Sequence, residues 1–256
     1  MAVNDLLNTK PYDLGQLYFP GMPHFPSHPP FLYGLTKKHG EILYSGGATS
    51  AADAIALGTH VGTHIDALSH FSCNGLCYGG RRIEQTYEHG MAELGVDRVE
   101  PIVRRGVLLD IARSEGVDVL PEDFEITPDH LSQASNIEIG MGDIVLLRTG
   151  WAQFFHDPKR YINNTVAPGP GIEAARWFSA RKIFAAGSDT VVFEKVPDPA
   201  MPVHMHLLVE SGIHIIEVLN LEALARDRIY EFVFIAAPMK IRGATGAPVR
   251  PLACPI

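Results

Sequence analysis

Between Gly58 and His70 the chain reads Gly-Thr-His60-Val-Gly62-Thr-His64-Ile-Asp66-Ala-Leu-Ser-His70, placing three histidines and one carboxylate in a short span. Neutral imidazole with carboxylate is the donor set favoured by zinc, manganese and iron. A helix would put His60 and His64 on one face but rotate Asp66 and His70 away from it. Gly62 and the β-branched Val61, Thr63 and Ile65 also disfavour a helix. In a strand, positions 60, 64, 66 and 70 share a face, while Val61, Thr63, Ile65 and Ala67 turn toward a core. A straight strand, however, separates His60 and His64 by roughly 13 Å, too far to share an ion through bonds of about 2.1 Å. The spacing therefore predicts an extended segment that folds on itself at Gly62. Cys73 and Cys77 follow closely, but His and Asp already complete a ligand set, so both read as ordinary thiols.

A second stretch, Pro202-Val-His204-Met-His206-Leu-Leu-Val-Glu210-Ser-Gly212-Ile-His-Ile-Ile-Glu217, carries more ligand-type side chains. It predicts a helix over 204–208, a stop at Gly212 and a strand over 213–216. His204 on the helix and Glu217 at the strand end could add ligands to the same ion or to a second one. His206 or His214 could equally be a satisfied surface residue.

The elements that must position these groups follow from apolar runs and turn signals. Gly106–Ala112, Gly142–Leu147, Ile183–Gly187 and Tyr230–Ala237 read as buried strands. Thr127 before Pro128 and Asp129 marks a helix start, and Pro170–Phe178 and 221–228 read as helices. Residues 41–57 read as strands leading into the histidine segment, and 243–251 as a loop. The expectation is one α/β domain over 36–256, preceded by an arm over 1–35. Proline at positions 11, 20, 23, 26, 29 and 30 keeps that arm extended. The arm covers an apolar pocket, reaches a partner subunit, or only seals the core. His24 and His28 within it read as turn or pocket polar groups. Phe25, His24 and, after the strand ending at Leu147, Trp151 are candidate substrate contacts.

The chain has 256 residues, 46% of them hydrophobic and 20% charged, enough for one substantial core. A formal net charge of −8 argues against a nucleic-acid or anionic-membrane surface. No apolar run approaches the ~18 residues of a membrane span, and no leader pattern opens the chain, which points to the cytoplasm. Three cysteines make no disulfide framework in a chain this long.

The run His60-Val-Gly-Thr-His64-Ile-Asp66-Ala-Leu-Ser-His70 resembles the His-x-Gly-Thr-His-x-Asp-x-Pro-x-His motif of the cyclase-type metal hydrolases, the family of bacterial kynurenine formamidase and isatin hydrolase. Leu68 stands where many members have proline. Gly106–Asp110, Gly142–Trp151, Pro202–His204, Gly212–Glu217 and Thr245–Arg250 follow in the family's order. The resemblance spans roughly residues 12–251. It implies a swivelling β/β/α fold with a mixed sheet and flanking helices, and a homodimer or larger assembly with the site near an interface. It also implies His60, His64 and Asp66 as metal ligands, His70 as the acid/base, and His204 with Glu217 at a second metal. One manganese or two zinc ions are the implied cofactors.

A divalent ion in such a set acidifies water and polarises a carbonyl, and a free histidine beside it can deliver a proton to a departing nitrogen. The expected reaction is hydrolysis of an N-formyl arylamine or a strained cyclic amide, with lactone hydrolysis or ring closure as related options. The competing classes are a non-haem iron oxygenase using His60, His64 and Asp66, and a metal- or ligand-binding protein without turnover.

Overall fold

The apolar runs become a nine-stranded mixed sheet in this computed structural model, which describes residues 9–134 and 137–256. In chain order its strands are β1 Tyr12–Asp13, β2 His64–Asp66, β3 Ile102–Asp110, β4 Ile144–Arg148, β5 Ala185–Ser188, β6 His214–Glu217, β7 Glu231–Ala236, β8 Gly246–Pro248 and β9 Leu252–Pro255. Their spatial order is β1-β9-β7-β3-β4-β5-β6-β2-β8. The central β3, β4, β5 and β6 run parallel, and every pairing outside them is antiparallel. This is the α/β architecture with a mixed sheet expected for a swivelling β/β/α domain.

Strand alternation sorts the core into two layers. Val107, Leu109, Val145, Leu147, Ala186 and Ile215 face one cluster, which the helices α1 (Ile111–Ser114), α2 (Pro128–Gln133) and α4 (Ile172–Ala180) complete. Leu108, Ile144, Leu146, Ala185 and Ile216 face the other, together with Ile65, Phe232 and Phe234. A third cluster gathers Trp151, Phe155 and Tyr161, the last from α3 (Pro158–Ile162), against Met22 and Phe31 of the arm. Helix α2 begins as its sequence predicts, with Thr127 as N-cap and Pro128 at the first helical position. Helix α5 (Pro202–His204) widens into a π turn over Met205–Ser211 and stops at Gly212, which has φ +67°. Helix α6 (Glu222–Asp227) packs Leu224 and Ala225 on the second layer.

Some element bounds differ from those the sequence suggests. Residues 243–251 are not all loop, because Gly246–Pro248 pairs with β2. Pro248 is tolerated there because β8 is the outermost strand. The expected boundary at residue 35 falls inside Leu32–Lys37, a strand that forms an antiparallel hairpin with Ala52–Ala56. The first eight residues of the arm lie outside the described residues.

Candidate metal centre

Folding at Gly62 is what makes the histidine segment converge. Gly62 has φ +67°, and a Cβ there would collide with the Tyr18 ring. The Tyr18 hydroxyl is shared between the carbonyls of Val61 and Thr63, at 3.0 and 2.9 Å, which pins both sides of the bend. Thr63 adds a second tie, donating to the Val218 carbonyl at 2.6 Å and accepting from the Gln16 amide at 2.8 Å. Beyond the bend, β2 pairs His64 with Glu217 of β6 and Ile65 with Ile216, so the segment is held in register. His64 and Asp66 then share one face of β2, while Ile65 enters the second core layer.

The donors meet from both halves of the chain. His60 Nδ1 lies 2.7 Å from Asp66 Oδ1, and its Nε2 is hydrogen-bonded to Thr245 Oγ1 at 2.9 Å. His64 donates from Nδ1 to the Gly62 carbonyl at 2.8 Å, which leaves its Nε2 bare. That nitrogen sits 3.5 Å from Asp66 Oδ1 and 3.3 Å from Glu217 Oε2. His204 Nε2 lies 3.3 Å from Glu217 Oε1 and 3.8 Å from Asp66 Oδ2. Asp66 thus turns one oxygen toward His60 and His64, and the other toward His204.

Two features show that a cation fits. His64 Nε2 and Asp66 Oδ2 are buried without a hydrogen-bond partner. Asp66, Glu194 and Glu217 are all buried carboxylates, yet among the described residues their only ion-pair partners are histidines. Buried anions without a guanidinium or ammonium are expensive unless a cation joins them. The local field shows in the ionisation. Burial opposes charge on His204, but the hydrogen bonds its ring donates to Glu194 and Glu217 outweigh it and raise its pKa to about 10. Burial likewise opposes ionisation of Asp66, and the fields of His70 and His60 overcome it, holding that carboxyl well below the usual range.

Glu194 was not found in the sequence. Its carboxylate accepts from the His204 and Val203 amides at 2.9 and 3.2 Å and contacts His204 Nδ1 at 2.6 Å, fixing the ring with Nε2 inward. An acid directly after the apolar run Val191-Val-Phe193 was the available signal. Thr245 plays a similar part for His60. His206 points away, to Glu210 at 2.7 Å and Ser179 at 2.8 Å, so His204 is the histidine of this pair that reaches the centre.

His70 makes no side-chain hydrogen bond among the described residues, and a ring nitrogen of it lies within 4.8 Å of donor atoms of His60 and Asp66. Its ring stacks on His60 with centroids 3.9 Å apart, and burial pushes its pKa down to about 3. It opens onto a cavity of about 430 Å³ whose apolar wall includes Phe25, Phe71, Val191, Val192, Val196 and Met201.

The sequence model of the Cyclase family matches residues 12–195 of this chain. The chain belongs to the Cyclase family. The matched segment contains the His60–His70 motif, and the sheet brings His204 and Glu217 to it from beyond the segment's end. Among curated relatives, isatin hydrolase of Roseibium aggregatum is 28% identical over 220 residues, covering 82% of this chain and 76% of that protein. Kynurenine formamidase of Bacillus thuringiensis is 28% identical over 205 residues, covering 79% of each. A crystal structure described as a novel cyclase superposes with a TM-score of 0.91 at 29% identity, over 99% of this chain and 89% of that one.

Within this cyclase-family chain two expected substrate contacts lie elsewhere. Trp151 is buried in the third core cluster, and its indole N–H donates to the Tyr161 carbonyl at 2.9 Å. It is placed there because Asp189 accepts hydrogen bonds from the Thr149 and Gly150 amides, turning the chain inward after β4. His24 is also off the cavity wall, its Nδ1 held 3.0 Å from the Phe25 carbonyl. Phe25 is on the wall, and so is His28, which contacts the His60 carbonyl through Nδ1 at 3.3 Å.

Proposed function

We propose that this chain is a metal-dependent hydrolase that cleaves the carbon–nitrogen bond of an aryl formamide or a cyclic aromatic amide. The supporting observation is the group of buried carboxylates facing imidazole nitrogens, that of His64 bare, at the foot of an apolar cavity. Under this reading His60, His64 and Asp66 would hold a divalent ion, with Glu217 in reach of the same His64 nitrogen, and His204 and Glu217 would help to hold a second. The mixed nitrogen and oxygen donors suit zinc or manganese. Bound there, such an ion supplies a Lewis acid for the carbonyl and a more acidic water.

The chain's own residues do the rest. Phe25 and Phe71 hold the ring, and the valine wall keeps bulk water from the carbonyl. Neutral His70 accepts the proton that water sheds as its oxygen bonds to the carbonyl carbon. The carbon–nitrogen bond then breaks with its electron pair going to nitrogen, and His70 returns the proton there. An aryl formamide gives formate and an arylamine. A cyclic amide opens to one acid that carries the amine. The oxygenase reading needs a single carboxylate at the ion, whereas Asp66 and Glu217 both bear on His64.

We also read the chain as a homo-oligomer. The hairpin exposes Leu35, Ile55 and, in its connecting loop, Leu43, which is 74% accessible. Exposed apolar groups of this kind mark contact surfaces. Light scattering on the wild type and on Leu43→Asp tests that reading. All three cysteines are free, which agrees with a reducing cytoplasm. Among the described residues no helix is long and apolar enough to cross a membrane.

The functional test is a hydrolysis screen on ion-stripped protein reloaded with manganese or zinc, using N-formylkynurenine, isatin and formanilide. Turnover that needs the ion but not oxygen is expected, and inactivity on all three rejects the reading. His70→Ala should retain its ions while turnover falls about 10²–10⁴-fold. Loss of ions together with turnover would make His70 a ligand instead.

A further inference from the structure

We infer that this cavity selects uncharged aromatic amides and rejects those bearing a carboxylate away from the scissile bond. The inference rests on the hydrolase reading above and narrows it to one class of substrate. Among the described residues no lysine or arginine lines the cavity. The residues outside the described ones, 1–8 and 135–136, contain neither, so this chain has none in reserve there. Lys195, the nearest cation along the segment that forms the wall, pairs with Glu125 at 3.6 Å.

The backbone donors beside the cavity are also taken. The amides of Val203 and His204, at the start of α5, both donate to Glu194. The Phe193 amide donates to Glu217 Oε1 at 2.7 Å. What faces an incoming ligand beyond the donor cluster is mostly hydrocarbon, with Asp198, with Thr165, whose hydroxyl donates to the Asn164 carbonyl, and with His28, whose Nδ1 is engaged by the His60 carbonyl. A second carboxylate on the substrate would lose its water without gaining a donor, and would meet charge of its own sign. A neutral ring meets mainly apolar surface, in a volume within the usual range for small-molecule sites. Of the two relatives' substrates, the uncharged dione of an isatin fits these walls, whereas the amino-acid tail of a formylkynurenine does not.

The test compares formanilide with 4-formamidobenzoate on ion-loaded protein. A para carboxylate points away from the formyl group, so it cannot reach the ion while the amide is in place. The expected result is a kcat/KM at least about 100-fold lower for the carboxylated compound, carried mainly by KM. Asp198→Asn, which keeps the oxygen that caps the Ala200 amide, should narrow that ratio about threefold. Met201→Arg, which puts a guanidinium on the wall, should narrow it by about tenfold or more. Equal or faster turnover of 4-formamidobenzoate by the wild type overturns the inference and leaves the hydrolase reading intact. Turnover of neither compound, with isatin and N-formylkynurenine also untouched, removes the hydrolase reading, and the inference falls with it.

Discussion

His204 and His206 lie two residues apart, and each faces a glutamate at almost the same distance, 2.6 Å to Glu194 and 2.7 Å to Glu210. Their surroundings differ completely. Glu194 is 1% accessible and accepts two backbone amides besides the imidazole. The Glu210 side chain is 63% accessible and makes an ordinary i,i+4 pair on the π turn. A distance alone does not tell a structural histidine from a ligand. Burial and the fate of the second ring nitrogen separate the two: Nε2 of His204 turns to Glu217 and Asp66, and Nε2 of His206 meets a serine hydroxyl.

The sharpest way to break this comparison is to remove each imidazole in turn. His204→Ala leaves Glu194 charged and buried without its ion-pair partner, a cost of about 3–5 kcal/mol. Its melting temperature should drop on the order of 10 °C, and elemental analysis should show fewer bound ions per chain. A smaller loss is expected from Glu194→Gln, which keeps an acceptor but not the charge. Titration should show ion affinity weakened about 10–100-fold, and unchanged affinity would mean Glu194 does not orient His204.

A pH series sharpens the same point. In EDTA-treated protein the folded pKa of His204, about 10, lies above the unfolded value of 6.5. Its stabilising contribution is therefore fully present below pH 6.5 and is lost as pH rises through about 10. Melting temperature should fall across that window, and Glu194→Gln should flatten the fall. The smallest effect belongs to His206→Ala, expected within about 0.5 kcal/mol of wild type with ion content unchanged. A His206→Ala protein that lost its ions would erase the distinction.

Much of this was readable beforehand, for identifiable reasons. The kink at Gly62 followed from bond lengths against strand rise, and the parallel strands from apolar runs too short for helices. The convergence of His204 and Glu217 on the first motif could not follow from spacing, since it depends on β6 lying beside β2. Glu194 was hidden because an acid's burial is a tertiary fact. Trp151 misled because an aromatic residue after a buried strand lines a pocket or fills a core according to which way the chain turns. Here Asp189 sets that turn. The strand at Gly246–Pro248 escaped notice because glycine and proline signal loops, and only its place at the sheet margin makes them compatible with pairing.

The phenol of Tyr18 beneath Gly62 carries one more consequence. The bend that gathers the first histidines is braced by a residue of the N-terminal arm, through a contact spanning more than forty positions. Proteolysis between that tyrosine and the first histidine would keep the two in place only as long as their mutual packing held. A fragment starting at residue 36 would carry both histidine-bearing stretches but lack the strut that keeps the first one bent.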